Sequence, residues 1–436
     1  MSPKSKDVLT LLTTRGVLPS SSIQEALKLS QPTVSRILSE LVDEIVVLGQ
    51  GKSTQYAVAQ AIGTFSAQQP LWQIDQTGAP KRIGTVCLLA KDQIHIEGDG
   101  VSHLFDSTPQ ELLPWYLSPL RAQGFLGRLL AGQLAHYGVP SNPETWNVEA
   151  ALISALNIHD VPGALLLGSH AQKPQLAQMD ANDPVQILDQ ISSDVVNTLP
   201  FGSSAGGEQP KFPVLDAEGN PWFVKFSPPR GTPFGERWSD LLCAEALCNQ
   251  ALERHGFEAA QSQIVQSQTR TYLLSKRFDR CGADGRKHAV SIGAVHAAFV
   301  KGSYANWAST SDALARQGRL SRLDAHACHS LLQFGRLAGN TDMHSGNASL
   351  FVSGSSLQEI MRGDFKLAPT FDMLPMRWKP DAMVGVFDYA PFDVDYSLAD
   401  AATRAAAREF WATLSRQELV CAALREVAST MSDRMG

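Results

Sequence analysis

The stretch LAGNTDMHSGNASLFV, residues 337–352, decides how this chain reads. It sets Asp342 five residues before Asn347, on a loop interrupted by glycine that runs into a short apolar, β-rich segment. A carboxylate on such a loop can take a proton, and an amide oxygen close behind it can hold a hard cation. Twenty-five residues beyond Asn347, LAPTFDMLPM (367–376) supplies a second carboxylate, Asp372. Two strand-like pieces, ASLFV and KLAPTFD, flank the gap and would bring Asn347 and Asp372 to one metal ion.

Working outward toward the amino terminus, LPFGSSAGGEQPKFPVLDAEGNPWFVKF (199–226) is the next informative segment. Ser203, Ser204, Ala205, Gly206 and Gly207 form a loop of small residues, over which backbone N–H groups can approach phosphate oxygens closely. Lys211 follows, then a turn at Asp216–Asn220, then the β-rich run PWFVKF with Lys225. There is no G-x-x-x-x-G-K-[ST] phosphate loop. By itself this segment reads as a hairpin turn followed by a solvated edge lysine. In chain order, however, the sequence supplies loop, lysine, base, metal asparagine and metal aspartate. Those are the parts with which protein kinases hold nucleotide phosphates and accept a hydroxyl proton.

Together SAGGEQPK, WFVKF, SKRFDR (275–280), GNTDMHSGN and TFDMLP resemble the HipA family of bacterial serine/threonine kinases, over roughly residues 83–430. The resemblance implies an α+β, two-lobed kinase-like fold with a mostly helical C-terminal lobe, and ATP and Mg²⁺ as cofactors. It places Gly206, Gly207, Gln209 and Lys211 along the ATP phosphates and Lys225 in direct contact with them. Lys276, Arg277 and Phe278 fall at the hinge that holds the adenine through backbone groups. Asp342 becomes the general base, His344 a neighbour on the nucleotide side, and Asn347 and Asp372 the Mg²⁺ ligands. Ser204 aligns with the serine that family members autophosphorylate, with Ser203 beside it as the alternative. Lys276 stands where the family often has glutamate. Glu245, in SDLLCAEALCNQAL, could pair with Lys225, but Asp240 and Glu253 compete and an exposed helix carboxylate is the favoured reading.

Residues 1–60 read as three helices followed by a hairpin. Val34, Ile37, Leu38 and Leu41 give the third helix one buried face, Pro32 sits in its first turn, and Ser30 is its cap. Ser20, Ser21 and Ser22 are offered as caps for the helix before it. This order resembles a winged helix-turn-helix, whose third helix enters the DNA major groove. Gln31, Thr33, Ser35 and Arg36 on the open face, and Lys52 on the wing, are the expected DNA contacts. A small dimerisation module is the alternative, because six basic against five acidic side chains before residue 60 favour DNA only weakly. Fused to a HipA-like body, such a domain matches the YjjJ-like branch, whereas the family's helix-turn-helix usually comes from a separate antitoxin, HipB.

The rest of the chain sets limits. Its 436 residues carry a net charge of -6, which excludes a surface that is basic throughout. No apolar run reaches the roughly 18 residues of a membrane span, and MSPKSKDVLT has no signal-peptide core. The six cysteines form no C-x-x-C pair, and the histidines of HACH, His326 and His329, lack a zinc-site partner pattern. A reducing cytoplasm is expected. Residues 61–82 are read as a linker, 83–270 as the N-terminal kinase lobe and 271–436 as the helical C-terminal lobe. The resemblance implies a growth-arresting kinase that phosphorylates a translation-related protein, such as an aminoacyl-tRNA synthetase. It would bind DNA in cis, with a HipB-like antitoxin and a homodimer as further partners. A DNA-binding regulator with a nucleotide-sensing body, and a phosphotransferase acting on a non-protein substrate, are the competing readings.

Overall fold

The computed structural model describes residues 2–158, 160–170, 175–198, 209–381 and 383–435. The chain begins with α1 (Pro3–Arg15), β1 (Leu18–Pro19), α2 (Ser20–Leu27), α3 (Gln31–Glu40), β2 (Ile45–Leu48) and β3 (Gln55–Val58). Val8, Leu12, Ile23, Val34 and Ile37 meet in a small core of their own. Strands β1, β3 and β2 form an antiparallel sheet against it. Ser20, Ser21 and Ser22 lie inside α2, whose cap position is Pro19 with no side-chain hydrogen bond. Ser30 does stand at the cap of α3, yet its hydroxyl bonds the Thr33 hydroxyl at 2.8 Å instead of a backbone N–H.

The expected linker is largely sheet. Residues Gln68–Ile74 form β4, which pairs antiparallel with β5 (Pro80–Leu89). Its alternation is hidden in the sequence because a buried position is held by Gln69. That side chain satisfies itself locally, donating to the Ser66 carbonyl at 2.8 Å. Strands β6 (Gln93–Gly98) and β7 (Val101–Asp106), helices α4 (Gly124–Gln133) and α5 (Val148–Asn157), and β8 (Leu165–Leu167) follow. The sheet order is β7-β6-β5-β4-β8. The amino-terminal unit is fastened to it: Leu48 and Ala57 pack on Cys87 and Leu89, and the Val17 N–H donates to Gln93 Oε1 at 3.2 Å.

The stretch 83–270 takes part in two sheets, and the second of them runs on to Lys276. After α6 (Pro184–Thr198) come β9 (Lys211–Leu215), β10 (Pro221–Phe226), α7 (Pro233–Arg254), β11 (Ser262–Gln266) and β12 (Thr271–Lys276). These strands make a separate four-stranded sheet in the order β11-β12-β10-β9. It has its own core, in which Leu188 of α6 joins Phe212, Val214, Val224, Phe226 and Tyr272. The division is physical, since the buried faces of the middle sheet belong to a different cluster that runs into the C-terminal helices.

The remaining elements are β13 (Arg280–Cys281), β14 (Gly285–Arg286), β15 (Ala289–Ser291), α8 (Ile292–Phe299), α9 (Trp307–Arg316) and α10 (Arg322–Ala338). Strand β16 (Ser349–Val352), α11 (Leu357–Arg362), β17 (Phe365–Leu367), α12 (Ala401–Leu414) and α13 (Ala422–Arg434) complete the chain. Helix α10 stops at Gly339, which takes the left-handed φ of 78° that glycine adopts without cost. Two residues later the Asp342 loop begins, and it ends where β16 starts. Because β16 pairs with β17, with Leu350 opposite Leu367, the exit from β17 carries Asp372 back beside that loop.

Candidate active site

Lys225 is the centre of the site. It lies near the end of β10, an inner strand, and is paired through the register Lys225–Lys211 with β9 and Lys225–Leu273 with β12. Its ammonium donates to both Glu245 carboxylate oxygens, at 2.6 and 2.8 Å, and also to Asp372 Oδ1. Glu245 is 2% exposed. The favoured reading of it as a surface carboxylate is thus wrong, and the Lys225 pairing is the observed one. Asp240 does not compete, since it accepts from the Tyr389 hydroxyl at 2.7 Å and the Cys421 N–H at 2.9 Å. The missed signal was in the helix itself: Glu245 stands in the run Leu241–Cys248, whose other residues, Leu241, Leu242, Cys243, Ala244, Ala246, Leu247 and Cys248, are all apolar and buried. A carboxylate inside such a buried apolar run needs a buried partner.

One ammonium faces two carboxylates here, so the three groups share one surplus negative charge. Burial works against the charge on Lys225, but Asp372 and Glu245 outweigh it and keep the ammonium protonated beyond its ordinary range. Burial also opposes ionisation of Asp372, and Lys225 followed by Lys211 overcomes it, holding that carboxyl down at about 2. For Glu245 burial dominates the attraction of Lys225 and raises its carboxyl, so it is the member that protonates first on acidification.

Asn340 joins the two halves of the site, and sequence reasoning passed over it. It is buried; its Oδ1 accepts the Asp342 N–H at 2.9 Å and its Nδ2 donates to the Asp372 carbonyl at 3.2 Å. Asn347 Nδ2 in turn donates to the Asp342 carbonyl at 2.8 Å, which fixes the span from 342 to 347 as a closed loop. Asp372 takes a φ of 53°, a left-handed conformation that non-glycine residues adopt sparingly and that clusters at functional sites. His344 is exposed, with Nδ1 accepting the Gly346 N–H at 3.0 Å. Gln209 donates to the Phe226 carbonyl. Gly206, Gly207, Ser203 and Ser204 lie outside the described residues.

The three residues expected at the hinge divide. The Lys276 N–H donates to the Gln261 carbonyl at 2.8 Å and the Arg277 N–H to the Pro221 carbonyl at 3.1 Å. Phe278 packs edge-on to Phe351 and tilted against Phe371, the residue before Asp372. The Arg277 side chain does not reach the site. Its guanidinium is buried between Asp160, at 2.5 Å, and Asp279, at 3.0 Å, while Arg280 binds the same two carboxylates at 2.7 Å each. At the amino terminus Gln31, Ser35 and Arg36 are exposed on α3 and Thr33 is half-buried. Arg36 lies 3.9 Å from Glu40. Lys52 falls in the Gly51–Ser53 turn between β2 and β3, with a side chain outside the description.

Asp372 carboxylate and Asn347 amide oxygens are hard donors of the kind that Mg²⁺ takes, one or two from protein and the rest from phosphate and water. No cluster of three or more His, Cys, Asp or Glu side chains with metal-binding geometry occurs among the described residues. Among the described residues no helix is long and apolar enough to cross a membrane.

Comparison with known proteins bears on the family and the fold. Residues 203–435 match the HipA-like C-terminal domain, and residues 65–176 match the YjjJ-like toxin middle domain. The second match begins just before β4, inside the stretch expected to be a linker. The chain is 31% identical to Toxin YjjJ of Escherichia coli (strain K12), over 98% of this chain and 97% of that one. Its fold is similar to that of HipA from Shewanella oneidensis MR-1, solved with HipB and its operator DNA. That likeness has a TM-score of 0.55 at 14% identity, covering 84% of this chain and 96% of the other. With a buried lysine held by a helix glutamate and an aspartate, a closed Asp–Asn loop beside it, and these matches along nearly its whole length, the chain belongs to the HipA-like family, in the branch of YjjJ-like toxins.

Proposed function

We propose that this protein is an ATP- and Mg²⁺-dependent serine/threonine protein kinase that arrests growth by phosphorylating a translation-related protein, with DNA binding in cis. The carrying observation is the placement of Lys225 between Glu245 and Asp372, with Asn340 tying the Asp342 loop to the Asp372 backbone. Lys225 and Lys211, opposite each other on β10 and β9, would neutralise phosphate charge. A substrate hydroxyl oxygen bonds to the γ-phosphorus, the bond to the β-bridging oxygen breaks, and ADP leaves with that electron pair. Asp342 takes the hydroxyl proton. Mg²⁺, held by Asn347 and Asp372, would offset the negative charge of the phosphates. Most of the rate then comes from positioning and preorganised charge.

The test is incubation of the purified protein with labelled ATP and Mg²⁺, followed by mass spectrometry of the 199–211 peptide. Phosphate on Ser204 or Ser203 is the expected result. A phosphate there adds about -1.5 to -2 charge and would repel ATP from the loop. No transfer despite ATP binding would shift the function to a nucleotide-sensing regulator or to another acceptor. No ATP binding would end the kinase reading.

The HipA of Shewanella oneidensis was solved together with HipB and operator DNA. In this chain α3 and the β2–β3 hairpin would supply the DNA contact, allowing a repressor of its own promoter that needs no separate antitoxin for that step. Arg36→Ala is expected to weaken DNA binding and to reduce the salt dependence of log K by about 1 if Arg36 meets a phosphate. An unchanged affinity in a fluorescence-anisotropy titration across salt would remove α3 from the interface.

A further inference from the structure

A cleft of about 910 Å³ opens on the rear of the hinge, between the middle sheet and the C-terminal body. Its walls are Gln73–Gln76 at the end of β4, the Glu258–Gln261 connection, the hinge Lys276–Phe278, and Phe351–Ser355. The cleft shares Lys276–Phe278 with the expected adenine hinge, but Lys211, Lys225, Asp342, Asn347 and Asp372 are absent from its walls, so it is distinct from the phosphate-handling end of the site above. The walls are held by backbone bonds: Lys276 to Gln261 at 2.8 Å, and Glu258 and Ala260 to Thr370 at 2.9 Å each. The volume falls within the range of small-molecule sites, and the frame is preformed.

The charge is one-sided. Lys81, Lys276, Lys287, Lys366, Arg280 and Arg286 line the cleft together with Arg277, against two carboxylates, Asp75 and Glu258. Both carboxylates are engaged. Asp75 accepts from the Thr77 hydroxyl at 2.6 Å and its N–H at 2.8 Å, and Glu258 accepts from Lys366 at 2.9 Å. Arg277 and Arg280 are neutralised by Asp160 and Asp279. Lys276 and Lys287 have no carboxylate partner among the described residues, and Lys81 donates to the Ser355 carbonyl at 2.7 Å. The Lys287 ammonium stands 5.3 Å over the Phe351 ring. Burial, and next the charge of Arg280, push the Arg286 guanidinium down to about 10.

We propose that this rear cleft is a second ligand site, for a small phosphoanion carrying a diphosphate or comparable multiple charge. A preformed concavity lined by lysines from separate segments suits a compact, multiply charged ligand. Lys81 comes from the middle sheet, Lys276 from the hinge and Lys287 from the segment entering β15, so one anion would bridge three parts of the chain. The site stands whether or not the front site transfers phosphate.

The test titrates pyrophosphate into the full-length chain by isothermal calorimetry without nucleotide. It compares the natural sequence with Lys81→Glu/Lys287→Glu and with a charge-matched control, Lys4→Glu/Lys6→Glu, on exposed positions of α1. All four lysines are exposed or half-exposed, so folding should survive, and the unfolding temperature checks this. The expected result is binding about tenfold weaker in the cleft variant, as two partly exposed charges are reversed, with the control unchanged. Pyrophosphate should also raise the unfolding temperature of the natural chain and the control, but not of the cleft variant. No binding to the natural chain, or the same affinity in all three proteins, would overturn the proposal. An equal loss in both variants would do so too, since it would report overall charge and not this cleft.

Discussion

Asp342→Ala is expected to lower phosphate transfer by about 10²–10⁴-fold, the contribution typical of a positioned general base, while ATP affinity stays close to that of the natural chain. The split follows from geometry. Lys225, Glu245 and Asp372 hold one another without any contribution from the Asp342 carboxylate. What Asp342 gives to the loop is backbone: its N–H to Asn340 and its carbonyl to Asn347, both of which alanine keeps. The measurement is initial-rate labelling of the 199–211 peptide beside an ATP-binding titration of the same samples. Full transfer by the variant would take the base role away from Asp342. Loss of ATP binding together with transfer would instead mean that the loop collapsed. Asn340→Ala separates these cases. It removes both ties between the loop and Asp372, so it should impair transfer while leaving the Asp342 carboxylate in place.

What could be read from the sequence was what is local in it. Asp342 and Asn347 are five residues apart, and their relation is set by one loop, so their spacing carried the reading by itself. Asp372 was reachable because the intervening strands are short and apolar. Glu245 was not, although it lies only 20 residues from Lys225. Its pairing depends on how α7 packs across β10, and the competing carboxylates looked equivalent until Tyr389 and Cys421 were seen to occupy Asp240. The strand Gln68–Ile74 was hidden by a buried glutamine, which breaks the apolar alternation that marks strands. Arg277 illustrates a different failure. Its motif neighbours suggested the nucleotide, while the partner that claims its side chain, Asp160, is 117 residues earlier in the chain.

That distant pairing leads to the largest expected effect on stability. Arg277 and Asp279 are 3% and 6% exposed, so their charges have left water, and each is tolerated only because the others are present. Asp279 Oδ2 serves three donors: Arg277 and Arg280 at 3.0 and 2.7 Å, and the Gly163 N–H at 2.8 Å. Asp279→Ala would leave Asp160 alone between two buried guanidinium groups, with Arg286 close enough to add repulsion. Breaking one side of a buried ion network costs about 3–5 kcal/mol, and the contact of Arg277 with the Phe223 ring, at 4.5 Å, cannot replace a charge. Asp279→Asn keeps an acceptor for Gly163 and should lose less. The sign with pH is fixed by the same geometry. Burial opposes ionisation of Asp279, but Arg277 and then Arg280 prevail and hold its carboxyl well below the usual range. Its folded value is therefore depressed, so its stabilisation is fully present above the unfolded value near about 4 and drains away as pH falls below it. Urea denaturation of both proteins should show a wide gap at neutral pH that narrows in acid. A gap within about 1 kcal/mol at neutral pH, the size expected of an exposed pair, would mean that the cluster does not hold residues 277–280 to the Asp160–Gly163 segment.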